Sequence, residues 1–403
     1  MNNENKENSK KIYDNLKEIK SEDCTEILDA KKELALYLHI PFCEKKCNYC
    51  SFVSFCGKAE KFDEYISCVI YELQIRKENN AVLRTIYIGG GTPSLLSDKQ
   101  MEKLLTAIYQ NYEVLKDAEI TIEVNPNSIT KEKLIAYKML GINRISVGVQ
   151  SLNNKRLQQL GRLHTSSQVI EKLELIKSCG FTNISVDLII GLPNQTIFEI
   201  KRAIKKLSKY ATHFSIYSLS IEENTPFYDM FNKGELKLPN EKKSAKFYLM
   251  AVTALKKLGF ERYEVSNFAL DGYKSKHNKT YWEMQDYLGI GLASHSFIGN
   301  ERIANTEDLD VYLNNLKHFK PAFVKEKLSK KELMEETIML NLRESEGLNL
   351  EKFKNDFQID LIKQKKNEIA LLKQLELIEI NDNHLKVTDK GILVLNQIII
   401  RLI

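Results

Sequence analysis

The chain has 403 residues, 43% hydrophobic and 28% charged, enough for a large core or for one barrel-like unit with a smaller one beside it. Its 59 basic and 54 acidic residues leave a net charge of +5, too mild and too evenly mixed to argue for a nucleic-acid partner, and no apolar run reaches the ~20 residues that span a bilayer. The cysteines number seven, an odd count, and three stand in one ligand-like motif, which argues against a disulfide framework and for a reducing cytoplasm.

Residues 1–33 are polar and rich in Lys, Glu and Asn, and read as a solvated arm without a signal peptide. An apolar run at 34–40 has the length and bulk of a buried strand. It leads into Cys43-x3-Cys47-x2-Cys50. Helical spacing over 58–80 is followed by a short strand at 85–88, which runs into Gly89-Gly90-Gly91-Thr92-Pro93-Ser94. A helix at 98–115, a strand at 119–124 stopped by Asn125-Pro126, and a helix at 130–140 come next. Strands at 144–150, 183–190 and 213–219 alternate with helices at 168–178 and 199–210. Six apolar strands alternating with helices predict an α/β fold with a parallel sheet, a partial (β/α)6 barrel over 34–222, with a doubly wound sheet as the competing topology. In the extension at 223–321, residues 241–258 read as helix, 260–268 as strand-like, and 271–299 as loop-rich and aromatic. From 322 to 403, helices at 330–342, 349–356 and 361–375 precede a hairpin turning at Asn381-Asp382-Asn383, and a last helix starts near Lys390. That order predicts a C-terminal winged-helix-like α+β domain, of the kind that binds DNA in some proteins and only packs in others; no basic stripe favours DNA.

Three thiolates from one short loop can hold three irons of a cubic iron–sulfur cluster, which normally takes four cysteines; the fourth iron is then open to a small molecule. Zinc, with Cys56 or His39 as a fourth ligand, is the alternative. The glycine run at 89–91 is either a tight turn or a place where backbone approaches a ligand closely. Glu123, Gln150, Arg162 and Asp187 stand at or just after strand ends. Singly each reads as a cap or a surface residue. Together they form a ring suited to a ligand carrying a charged amino acid, a ribose and an adenine. His277-Asn-Lys-Thr-Tyr-Trp282 holds the only tryptophan. His277 is either a haem axial ligand in a loop near the barrel opening, where a flat macrocycle has room, or the cap of a loop anchored by that tryptophan, and His295 is open to the same two readings. His39 is expected to orient the cysteine loop by hydrogen bonding.

Tyr37-Leu-His-Ile-Pro-Phe-Cys43, Gly89-Gly-Gly-Thr-Pro-Ser94, Glu123-Val-Asn-Pro126, Ser146-Val-Gly-Val-Gln-Ser151, Leu160-Gly-Arg-Leu-His164, Asp187-Leu-Ile-Ile-Gly-Leu-Pro193 and His277-Asn-Lys-Thr-Tyr-Trp282 occur in one order. In this the chain resembles, over roughly 34–400, the radical S-adenosylmethionine (SAM) family of oxygen-independent coproporphyrinogen III dehydrogenases and their relatives, the HemW-type haem chaperones. The resemblance implies a 4Fe–4S cluster on Cys43, Cys47 and Cys50. It places Tyr37, Gly90, Glu123 and Ser218 around a first SAM, and Tyr49, Gly91, Thr92, Gln150, Arg162 and Asp187 around a second. The chaperone branch is favoured by Phe52, where the dehydrogenase pattern has a further cysteine, by the His-Asn-x-x-Tyr-Trp stretch with His277 as a haem-binding residue, and by the lack of the dehydrogenase's longer N-terminal region. Ser51 departs from the aspartate usual in chaperones. The expected function is a cytoplasmic haem chaperone, peripheral at the membrane, that passes haem to a membrane haem protein. It would be a monomer or homodimer without a nucleic-acid partner, and would draw on flavodoxin or ferredoxin if radical chemistry runs. The alternatives are a coproporphyrinogen dehydrogenase, which removes hydrogen from two propionates and releases carbon dioxide, and a DNA-binding redox regulator.

Overall fold

A computed structural model describes residues 31–403, so residues 1–30, with most of the expected polar arm, lie outside the described residues. The strands of the main sheet are β1 (Lys32–Ile40), β2 (Ala81–Gly90), β3 (Glu113–Val124), β4 (Arg144–Gln150), β5 (Asn183–Ile190), β6 (His213–Ser218), β7 (Glu261–Arg262), β8 (Asn267–Ala269), β9 (Tyr287–Ile290), β10 (His295–Ile298), β11 (Glu301–Asn305) and β12 (Phe323–Lys327). They lie side by side in the order β12-β11-β10-β9-β1-β2-β3-β4-β5-β6-β8-β7. Strands β1 to β6 are parallel neighbours in sequence order, as right-handed crossovers require. β9 adds a further parallel strand beside β1, and antiparallel strands finish both edges. The sheet is an open, partial barrel.

The crossover helices α1 (Phe62–Ile75), α2 (Asp98–Asn111), α3 (Lys131–Met139), α4 (Asn154–Gln159), α5 (Ser166–Ser178) and α6 (Ile197–Leu207) cover the outer face. Their starts are written locally. Ser97, Thr165 and Thr196 each close a capping box with Gln100, Gln168 and Glu199, reciprocal bonds worth about 1 kcal/mol per cap. Outward strand residues such as Leu36, Ile88, Ile122 and Val147 are fully or almost fully buried under these helices and form one continuous core. The inward face is different: Thr85, Thr121, Ser146, Ser185 and Ser215 are small, polar and buried. Small inward side chains leave the barrel interior room for something larger.

A second core, around Ile338, Phe353, Leu372, Leu385 and Leu395, sits in the C-terminal region. There Ile378–Asn381 and His384–Val387 pair as a hairpin, with Asp382 and Asn383 both at positive φ as a type I′ turn demands. Leu348–Asn349 adds a third strand.

Two stretches differ from expectation. β2 and β3 start four and six residues earlier than expected: Ala81 to Leu83 are buried and pair with β1, whereas Glu113 to Asp117 overhang the core and are exposed or half-buried. Residues 271–299 are not loop-rich. They contain the helix α8 (Lys276–Trp282) and the strands β9 and β10, where α7 is Glu241–Lys256.

Where the sheet edge meets the C-terminal core, Glu264 bridges to Glu344, is fully buried, and leaves its Oε1 without a partner. Burial pushes the Glu264 carboxyl up to about 7. An acid whose folded pKa lies above its unfolded one stabilises the fold most below the unfolded value, and that contribution is lost as pH rises from about 4.5 through about 7. The loss is on the order of 3 kcal/mol. Glu264→Gln should therefore flatten the fall in melting temperature between pH 5 and 8 measured by circular dichroism; an unchanged slope would place the titration elsewhere.

Candidate cofactor site

The three cysteines lie on a loop that the rest of the chain holds in shape. Phe42 is buried and stacks on Phe62 at 4.3 Å, fixing the loop's entrance. Gly91 N donates to Ile40 O at 2.8 Å and Thr92 N to Phe42 O at 2.7 Å. Phe55 N donates to Pro41 O at 2.7 Å, and His39 Nε2 meets Val53 O at 3.1 Å, as expected of a residue that orients this loop. Further round, Asn48 N donates to Leu160 O and Phe227 N to Asn48 O. The glycine run is what permits the approach. A Cβ on Gly91 would fall 2.7 Å from Phe42 O, and Gly90, at φ +108°, would put one 2.7 Å from the His39 ring.

Two of the sulfurs have donors: Thr92 Oγ1 to Cys43 Sγ at 3.6 Å and an Arg162 guanidinium nitrogen to Cys47 Sγ at 3.4 Å. The Thr92 contact favours the thiolate of Cys43. Burial pushes the free Cys43 and Cys50 thiols up, so metal uptake must displace their protons. Cys56 is exposed and faces Cys43 in a short parallel pairing outside the cleft. Among the described residues no three His, Cys, Asp or Glu side chains close on a single ion. The zinc alternative asks for such closure; a cubic cluster takes one thiolate per iron and does not.

The cysteines rim a cleft of about 400 Å³ at the carboxyl ends of β1 to β6. Cys43, Cys47, Cys50, Tyr49, Gly90, Gly91, Thr92, Glu123, Gln150, Arg162, Asp187 and Ser218 all line it. Arg162 is locked there by Gly148 O at 2.7 Å and by Asn125 Oδ1. Glu123 accepts from Tyr87 OH at 2.7 Å and from Gly90 N at 3.1 Å. Burial pushes the carboxyl of Glu123 up to about 7 and that of Asp187 up to about 6. These two buried carboxyls suit hydrogen-bond donors, such as the amine or the ribose hydroxyls of a ligand. Gln150 sits at φ +64°, a strained turn that ends β4 at the cleft. Asn125, Tyr87 and Tyr217 also belong to the site or its support and were not anticipated. Tyr87 and Glu123 alternate with inward neighbours on adjacent strands, the signal that could have found the pair.

Tyr37 and His277 lie elsewhere. Tyr37 is below the cleft, its hydroxyl 3.0 Å from His39 Nδ1. His277, expected near the barrel opening, is 1% exposed inside the barrel. Its Nδ1 meets Thr85 Oγ1 at 2.7 Å and its Nε2 meets Tyr281 OH at 2.8 Å. Burial pushes its pKa down to about 3, so the ring is neutral with both nitrogens engaged. The reason is Glu119, which points inward from β3 and accepts from Ser275 Oγ, Lys276 N and His277 N, each at 3.1 Å. That carboxylate caps α8 and draws it into the barrel, where a loop was expected outside. His295 is exposed on β10, and its Cα partner there is Ala304.

A parallel sheet carrying a three-thiol loop and a polar cleft at its carboxyl ends defines an α/β cofactor-binding protein. Residues 37–207 match the Radical SAM superfamily model, and residues 328–394 match the HemN C-terminal domain. Heme chaperone HemW of Lactococcus lactis is 39% identical over 362 residues, covering 90% of this chain and 95% of that protein. Heme chaperone HemW of Bacillus subtilis is 35% identical over 368 residues, covering 90% and 97%. The radical S-adenosyl methionine domain-containing protein 1, mitochondrial, of Bos taurus is 32% identical over 385 residues, covering 92% and 87%. The coproporphyrinogen III oxidase HemN of Escherichia coli, a radical SAM enzyme, shares the fold, with a TM-score of 0.80, 22% identity, and coverage of 93% and 90%. The chain belongs to the radical SAM superfamily and, within it, to the HemW family. The superfamily implies a 4Fe–4S cluster and SAM.

Proposed function

We propose that the chain is a haem chaperone that holds a 4Fe–4S cluster on Cys43, Cys47 and Cys50 and SAM in the adjoining cleft, binds haem, and passes it to a membrane haem protein. The observation that carries this reading is the convergence of three thiols and the strand-end polar groups on one cleft, in a chain matching curated haem chaperones over nine-tenths of its length. When bound, the cluster supplies single electrons and an open iron for the methionine end of SAM. Gly90 and Gly91 line the cleft where that end would sit, and Glu123 would accept from its amine. Asp187 suits the ribose hydroxyls, while Gln150, Tyr49 and Ser218 edge the rest of the ligand. Arg162 and Thr92 steady the sulfurs by donating to Cys47 and Cys43. Phe52, where a dehydrogenase would carry another cysteine, stands 68% exposed at the cleft mouth. No helix among the described residues is long and apolar enough to cross a membrane.

Anaerobic incubation of the reconstituted protein with coproporphyrinogen III, SAM and reductant should yield no protoporphyrinogen, while added haem should give a bound Soret band and pass to a haem-free membrane cytochrome. Protoporphyrinogen formation would replace the chaperone with a dehydrogenase.

A further inference from the structure

The His-Asn-x-x-Tyr-Trp segment stands apart from the cleft yet beneath it. His277 stacks on Tyr87, ring centroids 5.0 Å apart and planes 28° from parallel, and lies 6.4 Å from the Tyr37 ring. Each tyrosine reaches upward by its hydroxyl. Tyr87 OH donates to Glu123 Oε1 at 2.7 Å, and Glu123 in turn holds Gly90 N. Tyr37 OH meets His39 Nδ1 at 3.0 Å, and the other nitrogen of His39 meets Val53 O at the far side of the cysteine loop. Tyr281 closes the floor edge-on to His277, with rings 89° apart. The floor is fixed in turn by Thr85 and by the Glu119 cap on α8.

We infer that His277 is a positioning residue for the cofactor cleft, acting through the Tyr87 ring on the Glu123 carboxylate and through the Tyr37 ring on the cysteine loop, and not an axial ligand of haem. An axial ligand needs a free imidazole nitrogen facing space for a macrocycle, and both nitrogens of His277 are bonded inside the barrel. A positioning residue needs shape and fixation, which this ring has. The neutral imidazole fills the floor and sets the height and tilt of Tyr87, and the phenol then aims Glu123 at the ligand. Without the imidazole, Tyr87 can drop into the vacated volume and take its hydrogen bond with it.

This inference rests on the reading that Glu123 faces SAM, and the test separates the two. SAM affinity is measured by calorimetry on cluster-reconstituted protein, and haem binding by its Soret band, for wild type, Tyr87→Phe, His277→Ala and His277→Phe. Tyr87→Phe, which removes one oxygen and keeps the ring, should weaken SAM roughly fivefold or more. His277→Ala should weaken it about tenfold. His277→Phe, which keeps a flat ring on Tyr87, should return SAM affinity to within about threefold of wild type. All three should keep the wild-type Soret maximum and haem affinity. Should His277→Ala fail to fold by circular dichroism, Tyr87→Phe decides. Normal SAM binding in Tyr87→Phe, or loss of the Soret band in both His277 variants with SAM binding intact, overturns the inference alone. A wild type that takes up the cluster and binds no SAM overturns the cofactor reading and this inference with it.

Discussion

Alanine at Cys43, Cys47 or Cys50 abolishes the iron–sulfur chromophore of the reconstituted protein, whereas alanine at Cys56, Cys68 or Cys179 leaves it. Cys24, outside the described residues, belongs with the second group. The expectation rests on where the sulfurs are. The first three line the cleft, and two of them already receive donors, Thr92 and Arg162. Cys68 is buried in α1 against Leu313 O, Cys179 ends α5 on the outer face, and Cys56, though it pairs with Cys43, is exposed and does not line the cleft. A three-thiolate cluster has no spare ligand, so the effect is all or nothing. Iron and acid-labile sulfide per chain, with the visible absorption, measure it. A Cys56→Ala protein that cannot retain iron would show that the ligand set is wrong.

Gly91→Ala is the second large effect. The added methyl carbon would lie 2.7 Å from Phe42 O and 2.9 Å from both Ile40 O and Phe42 N, and all three are backbone atoms. Backbone cannot swing aside as a side chain can. To make room, the strand end must give up the bonds from Gly91 N to Ile40 O and from Thr92 N to Phe42 O, which hold the entrance of the cysteine loop. The cost is on the order of 2–4 kcal/mol. It falls on the site rather than on the core, so SAM binding should drop by about a hundredfold or more while the far-ultraviolet circular dichroism keeps its shape. Glu123→Ala, which removes one acceptor and leaves the loop intact, should cost less, about 1–3 kcal/mol of SAM binding. Calorimetry ranks the two; a Gly91→Ala protein that binds SAM like wild type would detach the glycine run from the site.

The fold is legible in the sequence where the signal is local. Four of the six parallel strands, β1, β2, β3 and β5, are apolar runs stopped by Gly, Pro or Asn, and β4 and β5 begin and end at the residues the pattern marks. The helix starts expected at 98, 168 and 199 fall within two residues of Asp98, Ser166 and Ile197. The ring of cleft residues was legible because a parallel sheet delivers all its strand ends to one side. What failed was non-local. Glu113 to Asp117 extend β3 by pairing with β2 while burying little, so no periodicity betrays them. β9 is four residues with a glycine, and becomes a strand only because β1 offers its free edge. α8 is seven residues long, too short for a helical period to show. Its entry into the barrel is dictated by Glu119, far away in the sequence. Nothing in a run of letters says from which end a returning segment comes in, and His277 was misplaced for that reason.

The cysteine loop has a further consequence for the working life of the protein. Its course is set by hydrogen bonds to the His39 ring on β1, to Thr92 after β2, to Leu160 and to Phe227, so four separate parts of the chain hold it. In zinc fingers the metal is the staple, and its departure unfolds the domain. Loss of the cluster to oxygen is therefore expected to leave a folded chain that can be reloaded; cluster-free and reconstituted protein should melt within a few degrees of each other by circular dichroism, and collapse of the cluster-free protein would show that the metal is the staple here too.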